Sequence, residues 1–273
     1  MTQRSTMCNF HICRQVIGFG STISLLIFLG SASLAGYAPA NNSSNRLSNS
    51  LQTTVGGSRA YTPPSDSRRS GEDHTGGGVR GCGEDVVALA PRLDFVGQSV
   101  STRPTFVWYV FSDDGEPLEF HLYRYQADGS KEVVLINPIG PSEQGYMAYT
   151  LPPDQPDLGT GETYLWQVVA YCDENLEDTG AWTSADIEIV APPANLATEL
   201  PEAPLEKAQA YAGYGFWYEA MAAVYDAATP ETQDFRQNLL LDLADLETPS
   251  EPGELSEDER ELIEQLREIA AMP

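Results

Sequence analysis

Few residues of this chain have the types and spacing that enzyme chemistry requires. The three histidines are His11, His74 and His121, and none belongs to a set with the spacing of metal ligands. A nucleophilic triad would need His121, and no serine lies in the strained strand-to-helix turn that activates such a nucleophile. His121 itself falls in an alternating, strand-like segment, where we interpret it as structural. The sequence predicts no catalytic residue, no metal ligand and no cofactor.

Clustered carboxylates leave two alternatives open. The segment Asp113-Asp114-Gly115-Glu116 could contact Ca²⁺ in a calcium-stabilised surface protein, although it lacks a complete calcium-binding loop. Carboxylates near Asp113 or Asp154 could also serve a hydrolase that acts on polysaccharide or peptide. The acidic residues are so numerous, however, that paired carboxylates arise by chance, and we interpret residues 113–116 as a turn.

The amino terminus has the pattern of a secretion signal. Arg4 and Arg14 precede an apolar run over residues 16–30, and the small residues Ala35 and Ala40 follow it. A basic start, an apolar stretch and a small-residue exit are typical of a signal peptide, here residues 1–40. We expect an exported protein of the periplasm, cell surface or extracellular space. The alternative is an uncleaved membrane anchor, and only then would the protein contact a membrane.

Signal cleavage changes the cysteine count. It removes Cys8 and Cys13 and leaves Cys82 and Cys172. Two cysteines of a folded region in an oxidising compartment most often pair. A bridge between them would close a loop of about 90 residues and contribute roughly 4–5 kcal/mol in the loop-entropy description. We predict a structural disulfide, with a catalytic thiol and a metal site as the alternatives.

The charge balance excludes one class of partner. The whole chain has a formal net charge of −25, and residues 1–40 contain two arginines and no acid, so the remainder carries −27. Such a field repels nucleic acid and anionic lipid head groups. We interpret it as a solvated acidic surface, and attraction of cations or of a basic partner is the alternative.

Composition and periodicity divide the mature chain into four parts. Residues 41–81, rich in Asn, Ser, Gly and Pro, predict a disordered linker. Residues 82–191 alternate with period two in about seven short strands separated by turns such as Asp128-Gly129, which predicts an antiparallel β-sandwich. Residues 194–247 predict a small helical hairpin or bundle, and residues 248–273 a loosely attached acidic tail helix. The fold class is therefore mainly β with an added helical segment.

One local pattern indicates the type of sandwich. Residues 158–168 resemble the turn and strand of fibronectin type III domains, members of the immunoglobulin-like sandwiches. In that resemblance the hydroxyl of Tyr164 ties the corner, Trp166 faces inward, and Trp108 of an earlier strand is its partner in the core.

The helical segment has a dense aromatic group. Tyr211, Gly215 and the alanines that follow approach the spacing of a tetratricopeptide-like helical hairpin, which cannot bury its apolar face alone. The aromatic side chains either fill the core or form a surface for a partner, with Tyr214 and Tyr218 the ones expected to stay exposed. The candidate partner-binding residues are Tyr211, Tyr214, Trp217 and Tyr218.

Several of these segments occur together in one order: Arg80-Gly81-Cys82, Pro104-Thr105-Phe106 with Trp108, Tyr164 through Trp166 to Cys172, and Tyr211 to Ala220. Together they resemble the cyanobacterial family catalogued as domain of unknown function 928, over roughly residues 77–246. The resemblance implies an exported protein with Cys82 and Cys172 as the cysteines of the family, and it transfers no catalytic residue. The acidic segment after Leu246 departs from the pattern.

These features favour a non-enzymatic protein-binding or scaffold module of the cell envelope, whose partner is an unidentified envelope or secreted protein. The hydrolase and the calcium-stabilised protein remain the alternatives.

Overall fold

Two β-sheets and a group of helices make up the part of the chain that the structure describes. The computed structural model describes residues 59–67, 77–79, 86–112, 114–249 and 255–272, all within one unit, Thr53–Pro273. The strands are β1 Gly77–Val79, β2 Val86–Ala88, β3 Gly97–Ser99, β4 Thr105–Val110, β5 Pro117–Tyr125, β6 Lys131–Pro141, β7 Gly145–Thr150, β8 Thr163–Tyr171 and β9 Thr179–Ile189. The helices are α1 Leu196–Glu199, α2 Pro204–Tyr214, α3 Trp217–Ala222, α4 Pro230–Leu246 and α5 Glu257–Ala270.

The strands form one large and one small sheet. The large sheet has the order β1-β9-β8-β5-β6, and β3 also pairs with β9; the small sheet has the order β2-β4-β7. Every pairing is antiparallel except that of β3 with β9, which is parallel. The predicted combination of antiparallel strands with helices is therefore confirmed as a mixed β and α architecture.

Aromatic side chains join the two sheets. Phe106 of β4 lies 4.8 Å from Phe120 of β5 and 5.4 Å from Trp166 of β8, measured between ring centroids. Alternation in β5 explains this contact, because Leu118, Phe120 and Leu122 are buried while the residues between them point outward.

Part of the range predicted as a linker is packed. Tyr61 is only 1% exposed, and its ring meets that of Trp217 edge-on at 4.9 Å. Its hydroxyl donates to the carbonyl of Gly215 at 3.4 Å. Gly77–Val79 pairs with β9. The linker expectation for residues 41–81 is therefore corrected at these positions, because one aromatic ring and backbone hydrogen bonds hold a segment whose composition is polar.

The acidic tail helix is also packed, contrary to the expectation of a loose attachment. Helix α5 begins with a capping box between Ser256 and Glu259. Its buried residues are Leu262, Ile263, Leu266, Ile269 and Ala270. The hydroxyl of Tyr109 donates to the sulfur of Met272 at 2.8 Å. The apolar stripe of α5 is thus covered by α4 and by the small sheet.

Among the described residues, no helix combines the length and the apolar character that crossing a bilayer would require. The predicted signal peptide, residues 1–40, lies outside the described residues.

Candidate functional site

Two of the four predicted partner-binding aromatic residues are in the core. Trp217 is 1% exposed and donates through Nε1 to the carbonyl of Leu89 at 2.8 Å. Tyr218 is 2% exposed; its hydroxyl accepts from Trp166 Nε1 at 2.8 Å and donates to the carbonyl of Asp186 at 2.9 Å. The expectation that Tyr218 stays exposed is wrong, because its hydroxyl satisfies two polar groups of the large sheet.

The other two aromatic residues are half-buried. Tyr214 stacks on Phe216 with an angle of 9° between the rings, and its hydroxyl donates to Glu199. Tyr211 lies on α2 and lines a cleft beside α3. These two positions keep the accessible surface that a ligand or partner could contact.

The residues predicted to define the fold, Trp108, Tyr164 and Trp166, are all buried. Trp108 and Trp166 are fully buried. The hydroxyl of Tyr164 accepts from the N–H of Gly159 at 2.8 Å and donates to Glu162 at 2.6 Å. The Tyr164 hydroxyl thus holds the turn that precedes β8, and burial is the main cause that raises the pKa of this hydroxyl.

Only some of the remaining predicted site residues belong to the part of the chain that the structure describes. Cys172 follows β8, and its N–H donates to the carbonyl of Asp178, whereas Cys82 lies outside the described residues. The disulfide therefore stays a prediction. Asp113 and His74 also lie outside them, and Asp154 is exposed. In the described ranges, no group of three His, Cys, Asp or Glu side chains could hold a metal ion.

An exposed apolar patch on β6 was missed by the sequence reasoning. Val133 is 56% exposed, Val134 36% and Ile136 47%. We call these three residues the β6 patch. Within the described strands, β6 is an edge strand that pairs with β5 alone. The consecutive apolar residues 133–136 were a visible signal, since a half-buried strand would have alternated with polar residues.

Irregular pairing interrupts the edge of β6. Leu135 pairs with Leu122 and Val133 with Tyr123, so Val134 has no partner in the register on β5, and Ile139 is passed over in the same way. Bulges of this kind, together with Pro138 and Pro141, hinder continuous pairing with another strand. The backbone edge of β6 is therefore poorly suited to pairing with another strand, and the accessible feature of β6 is the side chains of the β6 patch.

A hydrogen-bonded row lies on the outward face of β5, next to the patch. The His121 ring lies 3.1 Å from a Glu119 oxygen through Nε2 and 3.1 Å from the Tyr123 hydroxyl through Nδ1. Tyr171 donates to Glu119 at 2.8 Å. Burial, followed by this hydrogen bond, raises the pKa of Tyr171 to about 12. Because His121 pairs with Ile136, the fixed polar row borders the β6 patch.

Glu247, at the end of α4, binds the backbone of a loop. Its two carboxylate oxygens accept from the N–H groups of Arg92, Leu93 and Asp94 at 2.6, 2.8 and 3.2 Å. Burial raises the pKa of the Glu247 carboxyl, and the three N–H groups act in the opposite direction. Glu247 therefore anchors the helical segment to the sheet.

Two further carboxylates act in the same way. Glu219 of α3 accepts from the Ser99 hydroxyl and from the N–H groups of residues 100 and 101, at 2.5, 3.0 and 2.9 Å. Asp242 of α4 accepts from the N–H groups of residues 60 and 61. Burial is the first cause that raises the pKa of both carboxyls. No sequence signal marks these anchors, because their partners are backbone groups of distant loops.

Comparison with known proteins identifies a family and no activity. No curated protein matches the chain. One similar solved structure is that of a lytic polysaccharide monooxygenase important for efficient utilization of chitin in Cellvibrio japonicus. It is 12% identical, and the match covers 34% of this chain and 54% of that chain, or about half its length, with a TM-score of 0.25. So low a score supports no conclusion about fold or activity.

The family match agrees with the ordered set of aromatic, glycine and cysteine residues in the sequence. The model of the family described as "Domain of Unknown Function (DUF928)" matches residues 74–251, which is well over half of the chain. The matched range contains both sheets, helices α1–α4, the β6 patch and the three anchoring carboxylates, and it ends before α5. The chain therefore belongs to the DUF928 family.

Proposed function

We propose that this chain is an exported, non-enzymatic protein-binding module of the cell envelope, and that it binds its partner through the β6 patch. The observation that supports this is the concentration of exposed apolar side chains on one strand. Of the four large apolar residues that are exposed in the described part of the chain, three belong to the patch and the fourth is Leu241 on α4. Contiguous exposed apolar surface with a polar rim marks interaction sites.

The proposed partner is a separate protein that presents an apolar anchor surrounded by basic residues. Residues 41–273 carry a net charge of −27, so two copies of this chain repel each other and a basic partner is attracted. The two irregular positions in β6 and its prolines also disfavour edge-to-edge pairing of copies. The polar row of β5 forms part of the rim around the anchor.

A fibronectin type III-like sandwich would suit this role. The Tyr164 corner bond and the aromatic contacts between the sheets support that type of sandwich. Export is supported by the amino-terminal sequence pattern. Both remain parts of the proposal.

Site-specific photo-crosslinking tests the binding surface. A photo-reactive amino acid placed at Ile136 in the full chain, expressed in its source cells, should give one discrete adduct with a second protein. The matched control is the same amino acid at Leu241, which is 42% exposed and lies on α4. Equal adducts at both positions, or adducts of this chain with itself alone, would contradict the proposal.

A binding measurement with the purified partner follows from that experiment. The double variant Val133→Ser/Ile136→Ser should bind the partner roughly tenfold or more weakly, because two apolar side chains at an interface centre are lost. Leu241→Ser should bind like the wild type. An unchanged mass of the partner after prolonged incubation would support a non-enzymatic role, and cleavage of the partner would contradict it.

A further inference from the structure

A cleft between the helices and the small sheet contains polar groups that the fold does not use. It has a volume of about 440 Å³ and lies where α2 and α3 meet the turn before β4. Its lining includes Arg103, Lys207, Tyr211, Tyr218 and Glu219. Sites for small molecules commonly have volumes in this range and combine apolar walls with a few polar groups.

Two of these groups are adjacent hydrogen-bond donors. Lys207 and Tyr211 are four residues apart on α2 and so lie on the same face of the helix. In the part of the chain that the structure describes, the Lys207 ammonium and the Tyr211 hydroxyl have neither a hydrogen bond nor an ion pair, although both are half-buried. Half-buried donors without a partner favour a ligand that accepts hydrogen bonds.

The neighbouring groups determine how much charge the ligand can carry. Arg103 is already engaged: its Nε lies 2.7 Å from Asp157, and the guanidinium also donates to the carbonyls of Pro152 and Gln155. Lys207 is thus the cation that the described structure leaves without an ion pair in this cleft. One cation balances one negative charge on a ligand.

The floor of the cleft disfavours a larger anion. Glu219 is held at Oε1 by three donors, while its buried Oε2 has no hydrogen-bond partner. An ionised Glu219 repels any anion in the cleft, and a dianion about twice as strongly as a monoanion. The rest of the lining combines the apolar residues Pro104, Pro204, Ala222 and Ala223 with the polar Ser101 and Thr105 and the exposed Glu202, which forms no ion pair with Lys207 in the described structure.

We propose that this cleft binds a small organic monocarboxylate with an apolar body, whose carboxylate lies against the Lys207 ammonium and the Tyr211 hydroxyl. Charge-assisted hydrogen bonds provide the affinity for the carboxylate, and the prolines and alanines contact the apolar body. This site is separate from the β6 patch, so either proposal can fail without the other.

The lysine content of the chain provides a direct test. Lys131 and Lys207 are the only lysines in the sequence. Reductive methylation of the full chain with ¹³C-formaldehyde therefore gives two lysine signals in an NMR spectrum while keeping both positive charges. Lys131, which is exposed and lies 5.4 Å from the Tyr125 ring centroid, is the internal control.

Titration with hexanoate should shift the Lys207 signal to saturation and leave the Lys131 signal unchanged. Hexanamide, which has the same apolar body without the charge, should shift neither signal. Equal shifts at both lysines, a shift that does not saturate, the same effect from hexanamide or no shift at all would overturn the proposal.

Variants separate the contribution of each side chain in a calorimetric titration of unmethylated protein with hexanoate. Lys207→Met should weaken binding by roughly tenfold or more, the loss expected for a charge-assisted hydrogen bond. Lys131→Met should have no effect. Tyr211→Phe should weaken binding several-fold. Equal losses in Lys207→Met and Lys131→Met, or unchanged binding in Lys207→Met, would contradict this arrangement.

The carboxylate could belong to a free acid or to the carboxy terminus of a peptide. A titration with an acetylated tripeptide that ends in leucine distinguishes these two sources. Tighter binding of hexanoate assigns the site to free acids, and tighter binding of the tripeptide assigns it to peptide termini. Saturation by neither compound overturns the proposal.

Discussion

At the scale of single residues, Glu247 shows that part of the acidic composition has a structural role. Its two carboxyl oxygens accept hydrogen bonds from three consecutive backbone N–H groups, so this acidic side chain is buried inside the fold instead of being solvated. Glu219 and Asp242 do the same for two other loops. The interpretation of the acids as a solvated surface therefore does not extend to these three residues.

Replacing Glu247 tests its anchoring role. Glu247→Gln keeps the shape of the side chain but replaces one of its two accepting oxygens with an NH₂ group. The three backbone N–H groups then share a single oxygen, so at least one buried donor loses its partner. We expect a loss of about 1–3 kcal/mol in the free energy of unfolding, measured by urea denaturation. The exposed Asp154→Asn is the control and should change it by less than about 0.5 kcal/mol. Equal effects of the two substitutions would contradict the role of Glu247.

The two remaining cysteines provide a second prediction at this scale. Val79 and Ala170 both pair with Ala181, from opposite sides of β9, so β1 and β8 end at the same edge of the large sheet. Cys82 follows the end of β1 by three residues and Cys172 follows the end of β8 by one. This register supports the predicted bridge.

Alkylation under denaturing conditions measures the bridge. The chain without residues 1–40, produced in an oxidising compartment, should incorporate no alkylating group before reduction and two after it. Cys172→Ser should lower the free energy of unfolding by about 2–5 kcal/mol. Two reactive thiols in the unreduced protein would show that the prediction is wrong.

At the scale of elements, the sequence predicted which segments form strands or helices better than it predicted their packing. Helices α4 and α5 each begin with a capping box, at Thr229 and Ser256, and such a cap is a local interaction within four residues. The docking of α5 depends on which surface is left uncovered by α4 and the small sheet. Local periodicity contains no information about that surface.

A substitution in α5 tests whether the helix is an integral part of the fold. Leu266 is almost fully buried. Leu266→Ala should reduce the free energy of unfolding by about 2–5 kcal/mol, as expected for a cavity in a packed core. Leu241→Ala, at an exposed position of α4, is the matched control and should have a small effect. A small effect at both positions would instead support the prediction that α5 is a loosely attached tail helix.

At the scale of the whole molecule, the buried carboxylates make stability depend on pH. The pKa values of Glu219, Asp242 and Glu247 are raised in the folded state, chiefly by burial. Each carboxyl therefore binds a proton more tightly in the folded chain than in the unfolded chain. The stabilisation is complete below the ordinary pKa and is lost as the pH rises through the raised value.

We expect the wild-type chain to have a higher Tm at pH 5 than at pH 7.5, measured by circular dichroism. The comparison stops at pH 5 because the pKa values of Asp128, Glu199 and Glu231 are lowered, and the contribution of these groups is lost at more acidic pH. The variant Glu247→Gln should reduce the difference in Tm. A Tm that falls between pH 7.5 and 5 would contradict this expectation.

The sequence alone determined the strand and helix content, the buried face of strands such as β5, and the family. These depend on period-two alternation, caps and an ordered set of residues, all of which are local or linear features. Only the tertiary structure showed that Tyr218 is buried, that Tyr61 packs in the core, that α5 is docked and that the cleft exists. Each depends on which distant groups meet, and whether a side chain is exposed is decided by that packing and not by its own type.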